Sequence, residues 1–437
     1  MQQLISLIEN NNLTKQRVES LRTLEKIYDI YGNVGIEEDM IYDFIENLLI
    51  SDSDVQIRNE AALMIHRNFK NNALMILRWT LNHEDSPTIL NTTYNSLISI
   101  LKYIEKKGDS FGKLALLQEL DQIRDKDFNI NIEILKSQGD INNCSHSELT
   151  EILINYFSLI YLKKLHFRLK YTVEGFRIVE LNFIFKGLTK LPSALTHLHD
   201  LRILSLRYNQ ITEIPEWISN LHSLESLNLN INNINNLPKT LGSLKHLKEL
   251  TLWKNDLQEL PSSISSLRSL RTLNLRLNQL YKLPEEFGDL QNLKELNLHD
   301  NRLTYLPISF SCLKSLKKLN LSWNSLTTLS KPITGLVSLK TLDLERNELS
   351  KVSSSIVSLT SLEILNLCDN KLESIPEAIG RLKNLKILNV SRNKLKLIPK
   401  TIQSLERLEE LYLSENNFER IPIFLKKMED RGVRIHY

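Results

Sequence analysis

His299 and Cys368 are the side chains whose types and matching positions first suggest chemistry, because imidazole and thiolate together bind zinc or form a nucleophile with its base. Both occupy the same place in a phrase that recurs every 23 residues, but their two copies lie three repeats apart. If each copy contributes one strand to a parallel sheet, the separation is roughly 14 Å. That distance is too long for one metal ion or one catalytic pair.

Other patterns of catalytic or cofactor-binding sites are missing from the sequence. It lacks the phosphate-binding G-x-x-x-x-G-K-[ST], the dinucleotide-binding G-x-G-x-x-G, the zinc-binding H-E-x-x-H and paired C-x-x-C, and it has only 12 glycines. We therefore predict no catalytic residue, no metal site and no cofactor. Function is then expected to come from recognition by a surface.

The recurring phrase is L-x-x-L-x-L-x-x-N, present in ten copies, and we number its nine places 1 to 9. Val390 is the one apolar substitution at its leucine places, which otherwise hold leucine throughout. A fixed period of this length predicts a solenoid, in which each repeat packs on its neighbours and a long concave surface is left open. The ninth place holds an asparagine in every copy: Asn209, Asn232, Asn255, Asn278, Asn301, Asn324, Asn347, Asn370, Asn393 and Asn416.

The spacing within the phrase assigns a role to each place. Strand side chains alternate, so the leucines at places 4 and 6 point inward while places 3, 5 and 7 face solvent. The asparagine amide has donors and an acceptor for turn backbone, so we predict a structural asparagine ladder and assign these residues to no binding site. A second phrase, such as Leu283-Pro284, follows each turn and predicts a short helical turn on the convex side. Ser330 and Ser353 replace that proline in two repeats, where the convex shape is expected to change.

The combined pattern resembles intracellular leucine-rich-repeat proteins related to Ras-binding scaffolds and to plant disease-resistance proteins. The resemblance covers residues 176–430 and implies an α/β solenoid, a horseshoe with a parallel sheet on its concave face. We expect a degenerate repeat (Ile178, Leu181, Phe183 and Lys186) and ten regular repeats over 178–420, an N-terminal cap over 148–177 and a C-terminal cap over 421–437. The resemblance also implies a protein partner, such as a small GTPase, a phosphatase or another signalling protein.

Residues 1–136 have helical periodicity and are predicted to form an all-α domain that precedes the solenoid. The segment from Asp52 to Ala62 resembles a HEAT repeat, in which an acidic turn precedes a helix with small residues, so we expect a HEAT- or armadillo-like stack. A non-repetitive helical bundle is the alternative. Residues 137–147 are polar and predict a linker, and the capping-box spacing of Ser145 and Glu148 predicts a helix over about 146–165.

The two parts of the chain differ in charge, and cysteine usage favours a cytoplasmic protein. Residues 1–140 carry 15 lysines and arginines against 22 acidic residues, whereas the remainder carries 40 against 30. The three cysteines are scattered, unlike the clustered disulfide caps of extracellular repeats. The N-terminus does not resemble a signal peptide, and no apolar run approaches the roughly 18 residues that span a bilayer.

Places 7 and 8 hold the exposed side chains best suited to binding. Large aromatic and arginine side chains on a solvent face are typical of protein interfaces. We therefore predict a partner-binding site formed by Arg207, Tyr208, Trp253, Arg276, His299, Trp323 and Arg346. The alternative is that the N-terminal helices fold back and cover these side chains.

The sequence as a whole predicts a non-catalytic scaffold or adaptor that acts in intracellular signalling or regulation. An RNA-binding solenoid is the first alternative, because seven of the ten second places are basic and would join the aromatic face in binding a phosphate backbone. An extracellular adhesin or effector is the second. We expect a protein partner rather than a nucleic acid, and no membrane span.

Overall fold

The computed structural model describes residues 2–31, 37–70, 72–328, 331–333 and 335–437. The chain divides into two compact units, residues 1–179 and residues 180–437. This boundary lies within two residues of the predicted start of the repeats.

The first unit is helical, as the sequence predicts. Its described helices are α1 Gln2–Asn10, α2 Thr14–Tyr31, α3 Glu37–Ser51, α4 Val55–Asn68, α5 Ala73–His83, α6 Pro87–Lys107, α7 Ser110–Leu120, α8 Lys126–Ser137 and α9 His146–Leu165. Strand β1, Lys170–Glu174, follows α9 and was not predicted. The predicted linker is mostly ordered secondary structure, because α8 reaches residue 137 and a 3₁₀ turn, Asp140–Asn143, buries Ile141.

Helix α4 contains the HEAT-like segment. Asp54 caps its first turn by accepting a hydrogen bond from the backbone N–H of Gln56 at 2.8 Å. Ala61 and Ala62 are fully buried, and α4 packs against α2, α3 and α6. Helix α6 in turn packs against α4, α5 and α9. Helices α2, α4 and α6 thus contact one another in alternation, and α4 and α6 each also contact the helix before them, as in stacked helical hairpins.

Helix α9 begins and ends where the sequence predicts. The Ser145 hydroxyl accepts from the N–H of Glu148, and the Glu148 carboxylate accepts from the N–H of Ser145, so the capping box is complete. The helix is buried on most sides, and its Ser158 hydroxyl lies 2.8 Å from the Tyr94 hydroxyl of α6. This buried contact and the apolar side chains around it anchor α9 within the first unit.

A sheet of short parallel strands forms the second unit, with each strand paired to its neighbours in sequence order. Corresponding residues pair at 23-residue intervals, as Leu273 does with Leu296. The leucines at places 4 and 6 are buried, as predicted. The strands after β1 are β2 Arg177–Asn182, β3 Ile203–Ser205, β4 Ser226–Asn228, β5 Glu249–Thr251, β6 Thr272–Asn274, β7 Glu295–Asn297, β8 Lys318–Asn320, β9 Thr341–Asp343, β10 Ile364–Asn366, β11 Ile387–Asn389, β12 Glu410–Tyr412 and β13 Arg434–His436.

The convex side of this unit consists of 3₁₀ turns, which confirms the predicted helical turns. Most follow a proline whose backbone is already extended, such as Pro284 with φ of −62°. Ser353 substitutes for proline by capping its turn, since its hydroxyl accepts from the N–H of Ser355. Ser330 lies outside the described residues. The turns are Ser193–His197, Glu216–Asn220, Lys239–Ser243, Ser262–Ser266, Glu285–Asp289, Ile308–Cys312, Lys331–Ile333, Ser354–Ser358, Glu377–Arg381 and Lys400–Ser404.

The C-terminal end, which the sequence predicts as a cap over 421–437, contains a helix and a strand. Helix α10, Ile423–Glu429, ends before Gly432, which lies in the following turn with φ of +94° and donates its N–H to the carbonyl of Glu429. The left-handed backbone there explains the glycine. Among the residues that the structure describes, no helix is both long and apolar enough to cross a bilayer.

Candidate functional site

Place 8 of every repeat has a left-handed backbone, which the sequence did not predict. Its φ lies between 50° and 58° at Tyr208, Ile231, Lys254, Leu277, Asp300, Trp323, Arg346, Asp369, Arg392 and Glu415. This conformation is unfavourable for residues other than glycine, asparagine and aspartate. It turns the chain out of the strand, and it brings the side chains of places 7 and 8 together along one edge of the sheet.

The asparagine at place 9 holds that turn through its amide. In Asn301, Nδ2 donates to the carbonyls of Leu275 and Leu298, both at 3.0 Å, and Oδ1 accepts from the N–H of Leu280 at 3.0 Å. Two of these partners belong to the preceding repeat. Asn301 is 8% exposed. The amide therefore satisfies buried backbone groups in two adjacent coils.

The asparagines at place 5 line the middle of the concave sheet with their donors outward. The Oδ1 atoms of Asn274, Asn297 and Asn320 accept from backbone N–H groups two residues later, at 3.1, 3.0 and 2.9 Å. Because a backbone N–H requires an acceptor, this fixes which amide atom faces the chain. The Nδ2 groups of Asn274 and Asn297 have no hydrogen-bond partner within the described ranges, and they lie beside a shallow hollow on the sheet lined by strands β6 to β9.

Phe185, Arg207, Tyr208, Trp253 and Arg276 form a continuous stack that we call the aromatic–arginine cluster. The rings of Phe185 and Tyr208 stack with centroids 4.3 Å apart. The Arg207 guanidinium lies 4.6 Å from the Tyr208 ring centre and 5.7 Å from that of Trp253. Arg276 lies 5.8 Å from the same Trp253 ring. Trp253 thus contacts two cations, an arrangement in which each guanidinium lies near an electron-rich ring.

Polar atoms in this cluster remain unused. The indole Nε1 of Trp253 and the Nε of Arg207 are buried and have no hydrogen-bond partner among the described residues. Neither Arg207 nor Arg276 makes an ion pair with any residue that the structure describes, and Arg276 is exposed. Buried donors without protein partners are uncommon in folded proteins, so these two groups are donors that water or a bound partner can satisfy.

The remaining predicted site residues form a second group further along the sheet. The Arg346 guanidinium lies 4.0 Å from the Trp323 ring centre, and its Nε donates to the Asp369 carboxylate at 2.8 Å. His299 lies with its ring 6.0 Å from Trp323 and its Nδ1 2.7 Å from the Ser322 hydroxyl. Burial, and then the positive charge of Arg276, lower the pKa of His299, which favours the neutral imidazole.

The structure therefore divides the seven predicted residues between two groups on the same edge. Arg207, Tyr208, Trp253 and Arg276 belong to the first, and His299, Trp323 and Arg346 to the second. Sequence reasoning missed Phe185, which is 70% exposed. The signal was present, because Phe185 precedes Lys186, the residue at the asparagine place of the degenerate repeat, and so occupies place 8.

The basic stripe at place 2 is neutralised in several repeats. Lys248 pairs with Glu225 at 2.6 Å, and Lys340 and Lys386 both pair with Glu363, at 2.8 and 2.9 Å. Hydrogen bonds from these two lysines lower the pKa of Glu363 to about 2. The pairs are exposed and contribute little stability. Between them, Arg271, Lys294 and Lys317 occupy place 2 of three consecutive repeats and make no ion pair with the described residues.

No cluster of potential metal ligands occurs among the residues that the structure describes. Cys144, Cys312 and Cys368 are free thiols. The concave face instead offers aromatic rings, guanidinium groups and amide donors. These groups can bind a partner through stacking and hydrogen bonds.

Comparisons with known protein families identify the repeats of the second unit. Models described as leucine-rich repeat region match residues 176–273 and 238–323, and models described as leucine rich repeat match 360–418 and 315–336. A search of curated protein sequences finds no match.

Solved structures of repeat proteins resemble the chain over just more than half its length. The functional domain of internalin J from Listeria monocytogenes is 22% identical, with a TM-score of 0.51, over 59% of this chain and 53% of that one. A chain of the Drosophila Toll–Spätzle complex is 27% identical, with a TM-score of 0.51, over 55% of this chain and 35% of that one. This chain thus spans about half of the first relative and about a third of the second. With its repeats, its parallel sheet and these matches, the chain belongs to the leucine-rich-repeat family.

Proposed function

We propose that this chain is a non-catalytic scaffold that binds a partner protein on the concave face of its repeats. Leucine-rich-repeat proteins generally mediate protein–protein interaction and typically have no catalytic role. The observation that carries the proposal is the exposed edge formed by the aromatic–arginine cluster and the neighbouring Trp323. Trp323 is 43% exposed.

The composition of this edge supports a protein partner. Tryptophan, tyrosine and arginine are the residue types that contribute most to binding energy at protein interfaces. Here they are already stacked on one another, so little side-chain freedom is lost when a partner binds. The seven residues Arg207, Tyr208, Trp253, Arg276, His299, Trp323 and Arg346 are the proposed contact set. From the resemblance to intracellular repeat proteins, the proposed partner is a cytoplasmic signalling protein such as a small GTPase or a phosphatase.

Two other functions fit the surface less well. An RNA-binding solenoid needs a positive track that follows the phosphate backbone, whereas Lys248, Lys340 and Lys386 are paired with glutamates. An extracellular adhesin is disfavoured by the three scattered free cysteines. Neither alternative uses the aromatic–arginine cluster as fully as a protein partner does.

The proposal is tested by affinity capture with the full chain and two matched variants. Trp253→Ala/Trp323→Ala removes the two indoles, whereas Tyr281→Ala/Tyr305→Ala removes two exposed aromatic side chains outside places 3, 5, 7 and 8. We expect the first variant to lose specific partners that the wild type and the control retain, with all three proteins equally folded by circular dichroism. Equal capture by all three would overturn the proposal. The alternative, in which the helices at 2–165 cover the cluster, predicts that same equal capture.

A further inference from the structure

We propose that Arg207 and Arg276, on either side of Trp253, each bind a carboxylate of an acidic segment in the partner protein. This inference rests on the proposed function and adds the chemistry of the partner at one place on the concave edge.

Arginines on this edge are neutralised within the chain in the later repeats. Arg346 donates to Asp369 at 2.8 Å, and Arg392 donates to Glu415 at 2.9 Å. Each acid occupies place 8 of the repeat after its arginine. Arg207 and Arg276 occupy place 7 of earlier repeats, and in the described part of the chain they have rings as neighbours but no carboxylate. Their charge is available to an outside anion.

Unused donors surround the same point. The buried Nε of Arg207 and Nε1 of Trp253 have no acceptor among the described residues. Asn274, two residues before Arg276 at the end of strand β6, presents its Nδ2 outward because its Oδ1 accepts from the Arg276 N–H at 3.1 Å. All of these groups donate hydrogen bonds and none accepts, so the complementary ligand is rich in acceptors. Guanidinium groups bind planar carboxylates in particular, through two parallel hydrogen bonds.

The charges along the edge favour a carboxylate from a protein over a nucleic acid. Places 7 and 8 of the first four repeats contain Arg207, Lys254 and Arg276 and no acid, whereas the following repeats add Asp300, Glu345, Asp369 and Glu415. A phosphate backbone that continued along the sheet would meet these acids and the half-buried Asp343. A short acidic segment needs only the first four repeats.

The experiment selects peptides from a random 12-residue phage library on the immobilised full chain. Arg207→Gln/Arg276→Gln tests the proposed pair. Arg302→Gln/Arg392→Gln is the matched control, since it removes two exposed arginines and the same net charge elsewhere in the repeats. Thermal unfolding establishes that both variants fold. We expect peptides selected on the wild type to be enriched in aspartate and glutamate over the starting library, and to bind the test variant about tenfold more weakly or worse.

Each outcome decides the proposal. Acidic peptides that lose affinity for the test variant and keep it for the control support it. Selection without acidic enrichment, no selection above the uncoated surface, or acidic peptides that bind both variants equally would overturn it. A 12-nucleotide oligouridine that binds the wild type more tightly than the selected peptides would also overturn it in favour of RNA.

The same peptides separate this inference from the proposed function. Peptides that are not acidic but still lose affinity for Trp253→Ala/Trp323→Ala would support the concave binding face and overturn only the carboxylate inference. Peptides whose affinity is unchanged by both the tryptophan and the arginine substitutions would overturn both the carboxylate inference and the proposed binding face. Raising salt from low to high ionic strength should weaken the acidic peptides, since the arginine pair is partly exposed.

Discussion

The side-chain amide of Asn301 donates to the carbonyl of Leu275, 26 residues earlier in the chain, at 3.0 Å. This bond joins one coil of the solenoid to the coil before it, and its equivalent recurs in every regular repeat. The asparagine at place 9 therefore stabilises the turn that presents places 7 and 8. The binding edge and the stability of the stack depend on the same short segment.

Asn301→Ala is expected to lower the free energy of unfolding by about 1–3 kcal/mol, because buried carbonyls and an N–H lose their partner. Equilibrium unfolding in urea measures the change. Asn292→Ala is the control, since the Asn292 amide is exposed and donates to a single carbonyl, that of Arg268. An unfolding midpoint for Asn301→Ala as high as that of the wild type would contradict a structural role for the ladder.

Ile231→Asn is expected to stabilise the protein by about 0.5–1 kcal/mol, since isoleucine at φ of +57° is unfavourable and asparagine tolerates this backbone. Thermal unfolding measures the effect. Ile203→Asn is the control, because Ile203 lies within strand β3 and is 43% exposed. The explanation fails if both substitutions change the melting temperature in the same direction and by the same amount.

His299 is expected to titrate below its ordinary value of 6.5, because burial first and Arg276 second disfavour its protonated form. Arg276→Gln should raise the pKa of His299 by removing the nearby positive charge. Titration of the imidazole signals by NMR measures both values. Arg392→Gln, a change of equal charge on a later repeat, should leave the pKa of His299 where it was. An unchanged pKa in the Arg276 variant would show that the two side chains do not interact as described.

Thr14→Val is expected to make the helical unit more sensitive to acid. The Thr14 hydroxyl donates to Asp54, and this hydrogen bond is the largest cause of the lowered pKa of that carboxyl. The folded pKa lies below the unfolded value of 3.8, so the cap stabilises fully above that pH and is lost as pH falls through the folded pKa. The variant should raise the pKa of Asp54 and lose helical circular dichroism at a higher pH than wild type. Thr23→Val, which removes a hydroxyl bonded to a backbone carbonyl within α2, should not.

The sequence predicts those features that depend on one repeat at a time. Leu204 and Leu206 are buried because strand side chains alternate, and α9 begins at His146 because Ser145 and Glu148 form a capping box. The left-handed backbone at place 8 was missed because nothing in residues such as Ile231 favours it. It follows from the need to leave the strand before the asparagine.

Contacts between repeats were harder to predict. The ion pair of Arg346 and Asp369 was readable, because both occupy place 8 in consecutive repeats. The contact of Trp253 with Arg207 and Arg276 was not, because it depends on side-chain rotamers across three strands. The pattern thus places the candidate residues on one edge, whereas their division into a neutralised group and an unpaired group required the structure.

Hydroxyl-radical footprinting of the four tryptophans, with and without a captured partner, tests the concave binding face most directly. Trp79 and Trp217 lie outside the concave edge and match Trp323 and Trp253 in burial, so they serve as internal controls. The proposed function predicts that a bound partner protects Trp253 and Trp323 from oxidation and leaves Trp79 and Trp217 unchanged. Equal oxidation of Trp253 and Trp323 in the free and bound chain, with protection elsewhere, would contradict it.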